Sequence, residues 1–184
     1  MKVKSLLLVA LLALVAVACG KKEADTVEVA PLTVDEVFAS ASELLGDTIE
    51  VEGVCSHLCK HGGTKAFLLG NDSTALLRCQ ATAEMGGAFA PDCVGDTLTV
   101  KGVVCESRIG EAEVAAMEAR MAAADSAQQA HQACDTEKKA QGQEGLNSFE
   151  ARMADYRAKI AARQEAEGKD YLSFYYIEAL SYTK

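Results

Sequence analysis

The sequence predicts a β-barrel with an α insertion: five strands, with an antiparallel helical hairpin between the fourth and fifth. Three observations carry this. Gly46-Asp47-Thr48-Ile49-Glu50-Val51-Glu52-Gly53-Val54 and Gly95-Asp96-Thr97-Leu98-Thr99-Val100-Lys101-Gly102-Val103 repeat one pattern, alternating apolar and polar residues around an internal glycine. Such a glycine marks a bulge or a sharp coil in a strand. From Ile109 to Gly168 the apolar period lengthens from two residues to three and four, the period of a helix face. Finally, Tyr171–Tyr182 contains no turn former and holds five of the ten aromatic residues, a composition that favours a strand.

The chain opens on a targeting segment, residues 1–18. Lys2 and Lys4 precede an unbroken apolar run, Leu6–Val17, which is short for a membrane span and suited to a signal sequence. It ends at Ala16-Val17-Ala18-Cys19-Gly20. This resembles a bacterial lipoprotein signal, with Ala16 where that pattern most often has Leu. The resemblance implies that Cys19 becomes the first mature residue and carries a covalent lipid. Several acyl chains on it would anchor the protein stably, where one would not. The expected location is the cell envelope, facing the periplasm or the cell surface.

Removing residues 1–18 takes away Lys2 and Lys4 and no acid. It leaves 16 basic against 27 acidic residues, a formal charge of −11 in place of −9. Nucleic-acid binding draws on clustered Lys and Arg, so no nucleic-acid partner is expected. Residues 19–32 read as a polar tether. About 150 residues remain, an ordinary length for one domain.

Thr33 followed by Glu36 predicts a capped helix start that places Val37, Phe38, Leu44 and Leu45 for burial. The first of the two repeated strands follows. Thr64–Leu69 and Thr74–Ala81 read as two further strands, separated by the turn formers Gly70-Asn71-Asp72-Ser73. The second repeat supplies the fourth strand. Val114, Met117, Met121, Ala124, Gln128 and His131 then mark one helical stripe. After a polar break over Asp135–Gly145, Leu146, Phe149, Met153, Tyr156 and Ile160 mark another. Asn147 with Glu150 is its expected cap, and Gly168 its close. The barrel is thus assigned to 33–109 plus 170–183 and the hairpin to 110–168.

This order of elements resembles the bacterial OB-fold, and more narrowly the small exported proteins that carry an anticodon-binding-like OB barrel. The resemblance rests on the two Gly-Asp-Thr repeats and on the Phe67-Leu68-Leu69 strand with its turn. It implies binding through the loops after the first and fourth strands, but the motifs are generic to the fold and specify no function. Another membrane-anchored OB family attaches haem through His-x-x-x-Tyr. No histidine here has a tyrosine four residues on, so that role does not carry over.

The densest chemistry is Val54–Gly63, which holds Cys55, His57, Cys59 and His61. In an ideal strand the period of two sets all four on one side. Thiolate and imidazole suit zinc or copper, with His131 and Cys134 as further donors from the end of the first helix. The competing reading is Cys55 in the core, the histidines in a solvated turn and Cys59 in a disulfide. An exported chain meets oxidants, and the six cysteines beyond Cys19 allow 15 pairings; Cys79 with Cys93 would close the link between the third and fourth strands. The C-x-x-C at a helix start that a thiol–disulfide oxidoreductase needs is absent. No Ser/His/Asp set, phosphate loop or paired catalytic carboxylate stands out, so no enzymatic activity is expected. Two functions fit: a non-catalytic binding or scaffold module for an envelope protein or small ligand, or a zinc- or copper-handling protein using residues 55–61.

Overall fold

A computed structural model describes residues 30–60, 62–71, 74–124 and 134–184. The two-residue strand β1 (Leu32–Thr33) runs into helix α1 (Val34–Ala39). Thr33 caps α1 as its sequence predicts. Its Oγ1 accepts from the Glu36 N–H at 3.3 Å, while Glu36 Oε2 accepts from the Thr33 N–H at 2.8 Å. This reciprocal pair satisfies two otherwise orphaned donors of the first turn. Val34 and Val37 are buried, whereas Phe38 and Leu45 are 38% and 45% exposed. The expectation that those two bury is corrected: α1 turns only its Val34/Val37 side to the barrel, which leaves Phe38 outside, and Leu45 lies beyond the helix.

The barrel strands are β2 (Thr48–Leu58), β3 (Lys65–Leu69), β4 (Leu76–Ala81), β5 (Thr97–Gly110) and β6 (Tyr171–Thr183). β2 pairs with β3 and β3 with β4, both antiparallel; β4 pairs with β6 in parallel; β6 and β5 are antiparallel; and β5 returns to β2. This is a closed five-stranded mixed barrel of OB-like topology with helices inserted. Closure leaves none of the five as a free sheet edge. Alternate residues point inward, so Val51, Cys55, Ala66, Leu68, Leu77, Cys79, Leu98, Val100, Val104, Ile177 and Ala179 form one core. Val34 and Val37 of α1 join it, as do Phe89 and Cys93 from the β4–β5 link.

β5 and β6 run past the barrel as a two-stranded ribbon, ending at the Gly110–Tyr171 pair. Helices α2 (Glu111–Ala123) and α4 (Phe149–Glu167) pack on that ribbon. Ile109, Val114, Met153 and Tyr156 make a second small core there, flanked by Met117, Phe149, Ile160, Leu172 and Phe174. The two helices are antiparallel, and Arg157 of α4 joins Glu111 and Glu118 of α2 at 2.8 and 2.7 Å.

Three details depart from the sequence reading. α2 stops at Ala123, because Ala124 adopts extended backbone at ψ 141°; Gln128 and His131 of the expected stripe lie outside the described residues. Ser148, not Asn147, caps α4, its Oγ accepting from the Ala151 N–H at 3.0 Å; Gly168 ends α4 in the left-handed region at φ 70°. Within the expected polar break stands a short helix, α3 (Asp135–Ala140). Asp135 and Glu137 in its first turn and Lys138 and Lys139 in its last complement the helix dipole.

Candidate functional site: a cleft on the outer barrel face

The residues between the inward positions of β3, β4 and β6 face outward, and the register lines them up. His57 lies opposite Phe67, Phe67 opposite Arg78, Arg78 opposite Tyr176, and Tyr176 opposite Cys105. One transverse row thus crosses five strands. The His57 and Phe67 ring centroids are 6.0 Å apart, and the Arg78 guanidinium lies 4.4 Å over the Tyr176 ring. A cation over an aromatic face is attracted by the ring quadrupole. Burial, first, and the neighbouring Cys105 and Glu178 push the Tyr176 hydroxyl above its ordinary pKa.

Helix α3 crosses this face. The Glu137 carboxylate, 14% exposed, accepts from Lys65 Nζ at 3.0 Å on both oxygens and from Arg78 Nη1 at 3.2 Å. Arg78 Nε is buried with no hydrogen-bond partner. Between α3, the strands and α1 lies a cleft of about 260 Å³. Phe38, Phe67, Leu76 and Phe174 give it apolar walls; Arg78, Glu137, Gln141, Ser173 and Tyr175 supply polar groups. Gln141 is held in place by a buried network: it accepts from the Tyr156 hydroxyl at 2.7 Å and from Arg152 at 3.3 Å, and Arg152 Nε donates to Gln143 at 2.8 Å. Arg152 is 7% exposed and Gln143 fully buried. Buried polar groups satisfied in this way hold their geometry. The cleft therefore has fixed walls and can take a small group with one apolar side and one polar edge.

The Cys/His stretch is arranged differently from its reading as a strand. The β2–β3 register slips between Cys55 and His57, so Ser56 is the extra residue of a bulge, its Oγ donating to the Phe67 carbonyl at 3.0 Å. A bulge breaks the period of two. Cys55 enters the core, where it is fully buried, while His57 goes to the outer face beside Phe67. The expectation that Cys55, His57, Cys59 and His61 share one side is thereby corrected. Cys59 follows the strand, its N–H donating to the Lys65 carbonyl at 2.8 Å. His61 and His131 lie outside the described residues, as does Cys19. Cys134 immediately precedes α3 without a side-chain capping bond, and Asp135 beside it is paired with Lys138 at 2.6 Å. Among the described residues no three Cys, His, Asp or Glu side chains converge as metal ligands.

No disulfide, Cys79–Cys93 included, is shown for Cys55, Cys79 or Cys93. Cys55, Cys79 and Cys93 are core residues instead. Burial pushes the Cys55 and Cys79 thiols above their ordinary pKa, with a smaller contribution from the neighbouring thiol. Sequence reasoning did not find Phe67, Arg78, Tyr176 or Glu137. The strand alternation held a signal for Phe67 and Arg78, since each falls between two inward-facing residues; nothing local marks Glu137.

No protein-family model matches the chain, and no curated protein matches it. Among solved structures, the chain is similar to one described as an aspartyl-tRNA synthetase from Leishmania major Friedlin, at 19% identity with a TM-score of 0.31. The likeness covers 49% of this chain and 18% of that one, so this chain spans less than a fifth of its neighbour's length.

Proposed function

We propose that the protein is a membrane-anchored envelope lipoprotein whose OB-like barrel is a non-catalytic binding module, taking a small ligand or partner side chain in the cleft under α3. The observation that carries this reading is the position of the cleft. It lies over β3 and β4, the second and third barrel strands, and is roofed by the insertion after the fourth, which is where OB barrels bind. The row Phe67–Arg78–Tyr176 supports it, since aromatic and cationic groups side by side on one sheet face are what ligands use. The anchor rests on the sequence alone, on the apolar run Leu6–Val17 ending at Cys19.

Hydrogen exchange on the full lipidated protein, read by mass spectrometry against a library of small fragments, tests the binding reading. Bound fragments should slow exchange in β3, β4 and α3, and Phe67→Ala should abolish that protection. If no fragment protects these segments, or protection falls only elsewhere, the cleft is not a binding site. Cys19→Ser should eliminate labelling by a radioactive fatty acid and release the protein from the membrane; unchanged labelling refutes the anchor.

A further inference from the structure

We infer that the ligand of this cleft is an apolar carboxylate, and that Glu137 is a tethered stand-in for its carboxylate group. The inference rests on the binding reading above and names the chemistry of the ligand. Glu137 is the acid among the residues that line the cleft, and both cations it touches are strand residues of the barrel: Lys65 on β3 and Arg78 on β4. The side chains of those cations are 25% and 20% exposed, so little water replaces a lost partner. The barrel face therefore contains a two-cation carboxylate clasp, and the insertion fills it.

Charge around the cleft favours an anion although the whole chain is acidic. Lys65 and Arg78 face Glu137. Beside the cleft, against the opposing effect of burial, the Ser173 hydroxyl and then Arg108 and Arg163 hold the Glu106 carboxylate below its ordinary pKa. Asp155 is paired with Lys159 at 2.8 Å, and Glu178, further along β6, is exposed. At Glu137 two cations meet one carboxylate, against a net charge of −9 for the chain. The unpartnered Arg78 Nε adds a donor that no protein acceptor meets, and a buried donor of that kind costs stability until an acceptor arrives. The remaining walls, Phe38, Phe67, Leu76 and Phe174, suit a ring or a branched chain.

A carboxylate ligand entering here exchanges with Glu137. Its oxygens take Lys65 Nζ and Arg78, its apolar body takes the aromatic walls, and Glu137 turns out to water. Two sources present this chemistry: a free small acid, and the C-terminus of a peptide ending in an apolar residue.

Calorimetry on the full mature protein decides, with 4-phenylbutyrate and its neutral amide as one pair of probes. A tripeptide ending in Phe, with a free or an amidated C-terminus, is the other pair. Both acids should bind and both amides should not. Glu137→Gln removes the competing charge and keeps the side-chain shape, so it should tighten acid binding about tenfold, or about 1.4 kcal/mol. Arg78→Met should weaken acid binding at least tenfold; Lys65→Met, which removes the other cation on Glu137, provides the same reading should the first variant not fold. Tighter binding of the tripeptide than of the free acid identifies a chain terminus as the source, and the reverse order a small acid. The inference is overturned if the amides bind as well as the acids, or if Glu137→Gln leaves acid affinity unchanged or lowers it. In those cases, fragments that still protect β3, β4 and α3 in hydrogen exchange preserve the binding reading and remove only the carboxylate. Absence of all such protection removes both.

Discussion

Gly102→Ala tests the closure of the barrel more directly than any core truncation. A Cβ at Gly102 would lie 2.4 Å from the Glu178 carbonyl oxygen, 2.5 Å from Ile177 Cγ2 and 3.0 Å from Ala179 Cα. Ordinary contact begins near 3.4 Å, so backbone on β6 must retreat by about 1 Å. The site coincides with a register slip in the β5–β6 ladder, where Lys101 faces Ser181 and Gly102 faces Ala179. Overpacking by one carbon typically costs about 1–3 kcal/mol; two contacts with backbone atoms, which no rotamer change relieves, place this one near 3 kcal/mol. Gly95→Ala is the control. Gly95 sits at φ 96° with nothing within 4 Å of a built Cβ, so that change carries only backbone strain, about 1 kcal/mol. Equilibrium urea unfolding measures both. With a slope of about 2 kcal/mol per molar, Gly102→Ala should lower the midpoint by about 1.5 M and Gly95→Ala by about 0.5 M. A Gly102→Ala midpoint at or above that of Gly95→Ala refutes the claim that strand closure, rather than backbone freedom, requires this glycine. Because Ile177 and Ala179 also pair with Cys79 and Ala81 of β4, the same variant should loosen the cleft, seen as faster exchange in β4.

Two further outcomes follow from the fold. Truncation before Tyr171 removes the partner of both β5 and β4, so the shortened chain should lose its cooperative melt by circular dichroism; a retained sharp transition shows that the barrel closes without β6. Burial raises the Cys79 thiol above its ordinary value, near 9, so the native state favours the protonated form: this stabilisation is present in full below pH 9 and lost as pH rises above it, by at most about 1.4 kcal/mol per unit. Urea unfolding of wild type and Cys79→Ala from pH 7 to 10.5 should show the stability gap between them shifting against wild type above pH 9, and a gap that stays constant contradicts it.

Strand and helix identities were legible because they depend on local period. The Gly-Asp-Thr repeats alternate cleanly, Thr33 with Glu36 forms a self-contained cap, and Gly168 ends α4 because only its own φ has to change. The OB-like order was legible as a resemblance, carried by two alternating repeats, two apolar stretches between them, two helical stripes and a last aromatic strand. The bulge at Ser56 was not legible. A register slip belongs to a pair of strands, and it sends Cys55 to the core and His57 to the outer face. Helix α3 was missed for a related reason: six residues are too few to hold a helix alone, and Glu137 is fastened by Lys65 and Arg78, 72 and 59 residues away. The strands, the inserted helices and several of their caps could be read from the chain, because each is a property of neighbouring residues. That Phe67, Arg78 and Tyr176 stand in one row, and that an acid from the insertion lies against Arg78, emerges only in the folded protein. Those relations exist only once distant segments share a surface.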